Sequence, residues 1–146
     1  MGMAKDAELL LRNTVEIVAT APEFSARERM AARADLLLHI VQNPEVEPTS
    51  NRMVKLAKEM LKDPDMRELQ NEQAAYCHLI VGLAFFLSDQ VPYIDAKTQL
   101  KYSLVLAKGN PRLQAITLHN LAVLNYCELT DHNERVLSGE DPEADD

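Results

Sequence analysis

A chain of 146 residues, 47% of them hydrophobic and only four of them glycine, is long enough to bury a core without disulfides or metal and too apolar for a disordered segment. Its formal net charge of −8 repels nucleic-acid phosphate, which excludes general nucleic-acid binding unless a local basic patch exists. Two cysteines, Cys77 and Cys127, are too few and too far apart for a zinc or disulfide framework, and both read as buried free thiols in apolar helical stretches.

The punctuation divides the chain into six helices. Residues 4–19 carry Leu10, Leu11, Val15 and Val18 as an apolar stripe that stops before Pro22. The acids at Asp6 and Glu8, with no apolar signal region ahead of them, predict an intracellular chain in the cytoplasm, mitochondria being the alternative. Gly2 fits a myristoylation signal, but Asp6 stands where Ser or Thr is needed. Ser25-Ala26-Arg27-Glu28 is a capping box, in which Ser25 and Glu28 can each satisfy the other's backbone N–H. It opens a second helix with Met30, Ala34, Leu37, Leu38 and Val41, ended by Asn43-Pro44. Residues 45–50, with Pro48, form a broad turn, and Thr49 or Ser50 caps a third helix that Asp63-Pro64 closes. Met53, Leu56, Ala57, Met60 and Leu61 form its apolar face. Arg52, Lys55, Lys58 and Lys62 alternate there with Glu59 and Asp63, which predicts a solvated, ion-paired face rather than a nucleic-acid site.

Asp65 and Glu68 make a second box-like start, for a fourth helix over residues 66–88. Its stretch 74–87 is apolar nearly all round, so neighbours are expected on both sides. The run 79–87 is far short of the roughly 20 residues needed to span a bilayer, so no membrane partner is expected. Pro92 precedes a fifth helix over residues 93–108, and Gly109 supplies a left-handed stop. Asn110-Pro111 starts a sixth helix over residues 111–129. Residues 131–146 are polar and then acidic, and read as a disordered tail beyond a single helical domain of residues 1–130.

The sixth helix carries the most specific pattern, Ala115-Ile116-Thr117-Leu118-His119-Asn120-Leu121-Ala122-Val123-Leu124-Asn125-Tyr126, with small residues interleaved among large ones. It resembles the first helix of a tetratricopeptide repeat (TPR), closest to the long-spacing repeats of kinesin light chains. Sliding it back about 40 residues places Gly82 under Ala122, Val81 under Leu121, Leu83 under Val123 and Phe86 under Tyr126. The resemblance covers residues 72–129. It departs from the family in its 40-residue spacing, in having no tryptophan, and in ending where the last repeat's second helix should stand. It implies an all-α fold of antiparallel helix-turn-helix pairs stacked as a short TPR-like solenoid. It further implies a non-enzymatic interaction module, an adaptor or complex subunit, that holds a protein or peptide partner on a concave face.

In that register Leu79, Leu83, His119 and Val123 occupy the inner positions. They are mostly apolar and do not make a carboxylate clamp. A groove lined by Leu83, Phe86, Leu87, Val123 and Tyr126 suits an apolar or helical segment of a partner. The uncovered flank of the sixth helix adds self-association as an expectation. Two other readings stand beside this one: an assembly factor for a multiprotein complex, mitochondrial in one version, and a helical bundle holding a hydrophobic ligand or metal. For the last, His78 and His119 would have to meet, with Cys77 and Cys127 nearby. No phosphate loop, nucleophile elbow or histidine–carboxylate pair at ligand spacing occurs, so neither catalytic residue nor cofactor is expected.

Overall fold

The computed structural model describes residues 2–43 and 50–139. Among them the chain forms six α-helices and one 3-10 turn, with no strand: α1 Gly2–Thr20, α2 Ala26–Gln42, α3 Ser50–Lys62, the turn Pro64–Glu68, α4 Asn71–Leu87, α5 Tyr93–Leu106 and α6 Pro111–Leu137. The fold is all-α. No helix of the described residues is long and apolar enough to cross a membrane. The expected turn at 45–49, with the Thr49 cap, and the acidic residues 140–146 lie outside the described residues.

Both ends of α2 follow from its sequence. The Glu28 N–H donates to Ser25 Oγ at 3.2 Å and the Ser25 N–H donates to Glu28 Oε1 at 3.1 Å, which completes the capping box. Met30, Leu37 and Ile40 recur at helical spacing and are fully enclosed, because α1, α3 and α4 all pack on this helix. On α1 the buried stripe is Leu11, Val15 and Val18. Leu10, expected in that stripe, is 67% exposed, because it lies about 100° round the helix from Leu11.

The link between α3 and α4 departs from expectation. Asp65 does not open α4. Instead Asp63 caps the 3-10 turn by accepting from the Asp65 N–H at 2.8 Å, and α4 begins only at Asn71. The Asp65 carboxylate is taken by α2: Arg29 Nε and Nη2 donate to it at 2.7 and 2.9 Å. Arg33 pairs with Asp63 in the same way, so two ion pairs fasten the turn to α2. Arg52 likewise leaves the basic face of α3 and pairs with Glu8 of α1, while Lys55, Lys58 and Lys62 remain exposed.

These pairs make stability acid-sensitive. The hydrogen bonds from Arg29 hold the Asp65 carboxyl below its ordinary 3.8. Burial pushes the Glu8 carboxyl up, but hydrogen bonds and charge from Arg52 and Arg12 outweigh it and leave it below its ordinary 4.5. Carboxyls depressed in the folded state contribute stability above their unfolded pKa values and lose it as pH falls through the folded ones. The thermal midpoint should therefore drop as pH falls from 4.5 through 3.8 and below. Asp65→Asn should flatten that drop in a pH series of thermal melts.

Helix α4 is the hub. α5 folds back antiparallel on it, with Ser103 Oγ donating to the Ala75 carbonyl at 2.8 Å and His78 bonded to Gln99 at 2.7 Å. At Gly82 the helices pack closely. A Cβ built there would lie 2.8 Å from Leu100 Cδ2, so any other residue would have to displace that leucine. Gly109, at φ 95°, ends α5 in the left-handed region and turns the chain into α6.

Asn110 caps α6 by accepting from the Leu113 N–H at 3.1 Å, with Pro111 in the first turn. The helix then runs to Leu137, eight residues beyond its expected end. The polar segment after Thr130 stays helical because it is tied down from α5. Tyr93 donates its hydroxyl proton to Asp131, and Lys97 Nζ pairs with Glu128 at 2.8 Å. The turn 138–139, with Gly139 at φ 84°, stops it.

Candidate functional site

A groove of about 800 Å³ crosses α2, α4 and α6 on one side of the molecule. Leu38, Tyr76, Leu79, Ile80 and Leu83 make its floor, and Leu113 and Ile116 of α6 make its far wall. Leu79 and Ile80 are buried beneath it, whereas Ile116 is 42% exposed at its rim. The floor is apolar because α4 is apolar on every side. α5 covers one flank of that helix and α2 a second, which leaves the Tyr76–Leu83 line open between α2 and α6.

One end of the groove has a different chemistry. The N-termini of α2, α4 and α6 meet there and are tied together: Gln73 Nε2 donates to the Arg27 carbonyl at 2.9 Å, and Asn110 Nδ2 donates to Glu72. Each helix N-terminus carries about half a positive charge. Arg27 and Arg112 nevertheless stand in the first turns of α2 and α6, both exposed. No hydrogen bond or ion pair holds either guanidinium among the described residues. A cation at that end of a helix works against the dipole, so these two arginines cost their helices stability. Gln70, at the head of α4, makes no side-chain cap, and Gln73 Oε1 is buried without a donor among the described residues. An apolar trough thus ends in a positively polarised, hydrogen-bonding mouth.

The seven residues expected to line a binding surface fall in three places. Leu79 and Leu83 belong to the groove. Phe86 and Leu87 line a separate cleft of about 620 Å³ at the other end of α4, with Tyr93, Asp131 and Arg135. There the Phe86 and Tyr93 rings lie 6.4 Å apart, and the hydrogen bond to Asp131 pushes the Tyr93 hydroxyl up to about 12. His119, Val123 and Tyr126 line neither space; they are exposed on the outer side of α6, Tyr126 by 70%. The single groove of Leu83, Phe86, Leu87, Val123 and Tyr126 is therefore not formed. α6 turns Thr117, Leu121, Leu124 and Glu128 inward, and a shift of two residues, about 200° of helix, carries 119, 123 and 126 to the opposite side. Arg27, Gln73, Arg112 and Ile116 were the residues missed. Their only sequence signal was arginine in the first turn of two helices.

The groups considered for chemistry are apart. His78 is held by Gln99 and lies against the Tyr102 ring at 5.6 Å, facing α5, while His119 points outward from α6. Cys77 is buried, with its thiol pushed up to about 12 by burial and then by Asp35, and Cys127 is half-buried; both are free. No group of three His, Cys, Asp or Glu side chains among the described residues is placed to hold a metal ion. Comparison with protein-family models, with curated proteins and with solved structures gives no match.

Proposed function

We propose that this chain is a non-enzymatic protein-interaction module that takes a short apolar segment of a partner protein, acidic at one end, into the groove between α2, α4 and α6. One observation carries the reading: an open apolar trough ends at two arginines that have no partner among the described residues and oppose the dipoles of the helices bearing them. The floor suits apolar side chains on one face of a bound segment. The mouth offers two exposed guanidiniums to a carboxylate. The resemblance of residues 72–129 to tetratricopeptide repeats supports the same reading, since first helices of such repeats line a binding face. Adaptor, scaffold or complex subunit are the roles that such a groove would serve.

An array of twelve-residue peptides tests it. Each peptide carries two apolar residues at i and i+4 and an acidic, neutral or basic end. The wild-type chain should retain the apolar–acidic set. Leu83→Asp and Ile116→Asp, both at non-enclosed positions, should lose it by at least tenfold while keeping the helical circular dichroism of the parent. No preference among the ends, or equal retention by the variants, overturns the reading.

A further inference from the structure

The outer side of α6 carries a second surface, independent of the groove. Ala115, Leu118, Ala122, Asn125, Leu129, His132 and Val136 recur at alternating spacings of three and four, and every one of them is exposed. Leu118 is 53% and Leu129 57% exposed, and Tyr126, beside them, 70%. This is the spacing of a coiled-coil seam, and among the described residues nothing packs on it. Forty residues earlier the matching positions of α4 are Ala75, His78 and Gly82, and α5 covers all three, through Ser103, Gln99 and Leu100. The α6 stripe thus has the build of a face that receives a helix, with Ala122 where α4 has the glycine under Leu100.

We infer that the helix it receives is the α6 of a second copy, running antiparallel. The stripe is complementary to its own reverse. When Ala122 is set opposite the second copy's Asn125, Leu118 falls opposite Leu129, and the same two pairs recur across the two-fold axis. The alanine at the centre lets the helices approach, the leucines flank it, and His119 falls beside Tyr126. Charge follows the same direction. Lys97, paired with Glu128, marks the side of α5 that leans on α6, and Lys101 and Lys108 lie exposed further along that side. At the opposite end Glu134 is exposed. Antiparallel pairing sets the Lys101 and Lys108 end of each copy toward the other copy's Glu134; parallel pairing would set like against like. Because the groove opens on another side of α6, a dimer formed this way leaves it free, two grooves per assembly.

Sedimentation equilibrium of the full chain over a hundredfold range of concentration tests the pairing. Wild type should be dimeric, and Leu118→Lys or Leu129→Glu alone should raise the dissociation constant at least tenfold with unchanged circular dichroism. The double variant Leu118→Lys, Leu129→Glu should recover the dimer, because each lysine then faces a glutamate of the other copy. A wild-type monomer throughout the range overturns the inference. So does a dimer indifferent to the single changes, or a double variant that stays monomeric. None of these outcomes bears on peptide capture by the groove, which the monomer would retain.

Discussion

Leu100→Ala should destabilise the folded chain by about 2–5 kcal/mol, the range for truncating an enclosed leucine. Leu100 is fully buried where α5 crosses α4, and its Cγ and Cδ2 lie over Gly82. The informative measurement is the cycle with Gly82→Ala. In the wild-type background the new methyl would meet Leu100 Cδ2 at 2.8 Å and Cγ at 2.9 Å, and overpacking of that kind costs about 1–3 kcal/mol. Alanine returns up to about 1 kcal/mol of helix propensity, so the single change is neutral to destabilising. With Leu100 already cut to alanine, the atoms in the way are gone. Gly82→Ala should then become stabilising, with a coupling of about 1–3 kcal/mol across the cycle. Urea unfolding of the four proteins reads all of these differences. Additive behaviour would mean that the glycine is not there for Leu100.

That pair also marks how far the sequence could be read. The repeat spacing aligns Gly82 with Ala122, another small residue, and the expected fifth helix over 93–108 takes in Leu100. Local signals of this sort hold wherever a feature is settled within a few residues: the Ser25–Glu28 box, the Asn110-Pro111 start and the Gly109 stop all take the form expected of them. Asp65 escaped because its spacing to Glu68 mimics a cap, while its carboxylate is claimed by Arg29, thirty-six residues earlier. No local pattern encodes that partner. The end of α6 escaped for a related reason: Asp131 looks like a tail residue until Tyr93 is set beside it.

The site was half legible. The repeat register puts Leu79 and Leu83 on an inner face, and both do line the groove. The α6 side failed on a rotation of about 200°, which no amphipathic pattern fixes when α6 is apolar over most of its circumference. The same excess of apolar surface, which blurred the register, is what remains exposed as the Ala115–Val136 stripe.

Reversing both charges at the groove mouth, Arg27→Glu with Arg112→Glu, should separate stability from binding. Glutamate in the first turn of a helix is favoured by the dipole by about 0.3–1 kcal/mol, where arginine is disfavoured. The double variant should thus melt no lower than the wild type near neutral pH. Binding should move the other way. Each guanidinium offers a charge-assisted hydrogen bond to the acidic end of a bound segment, discounted because both side chains are exposed. Together they correspond to about a twofold to thirtyfold loss of affinity for apolar–acidic peptides. Peptides with basic ends should gain in turn, and added salt should shrink both effects. Residues kept at the cost of helix stability need a compensating role, and ligand charge supplies one. If the variant melts lower, the arginines brace the three helix ends in some way beyond the contacts described. If it melts as expected but holds acidic peptides as tightly as before, the mouth plays no part in recognition and the groove binds through its apolar floor alone.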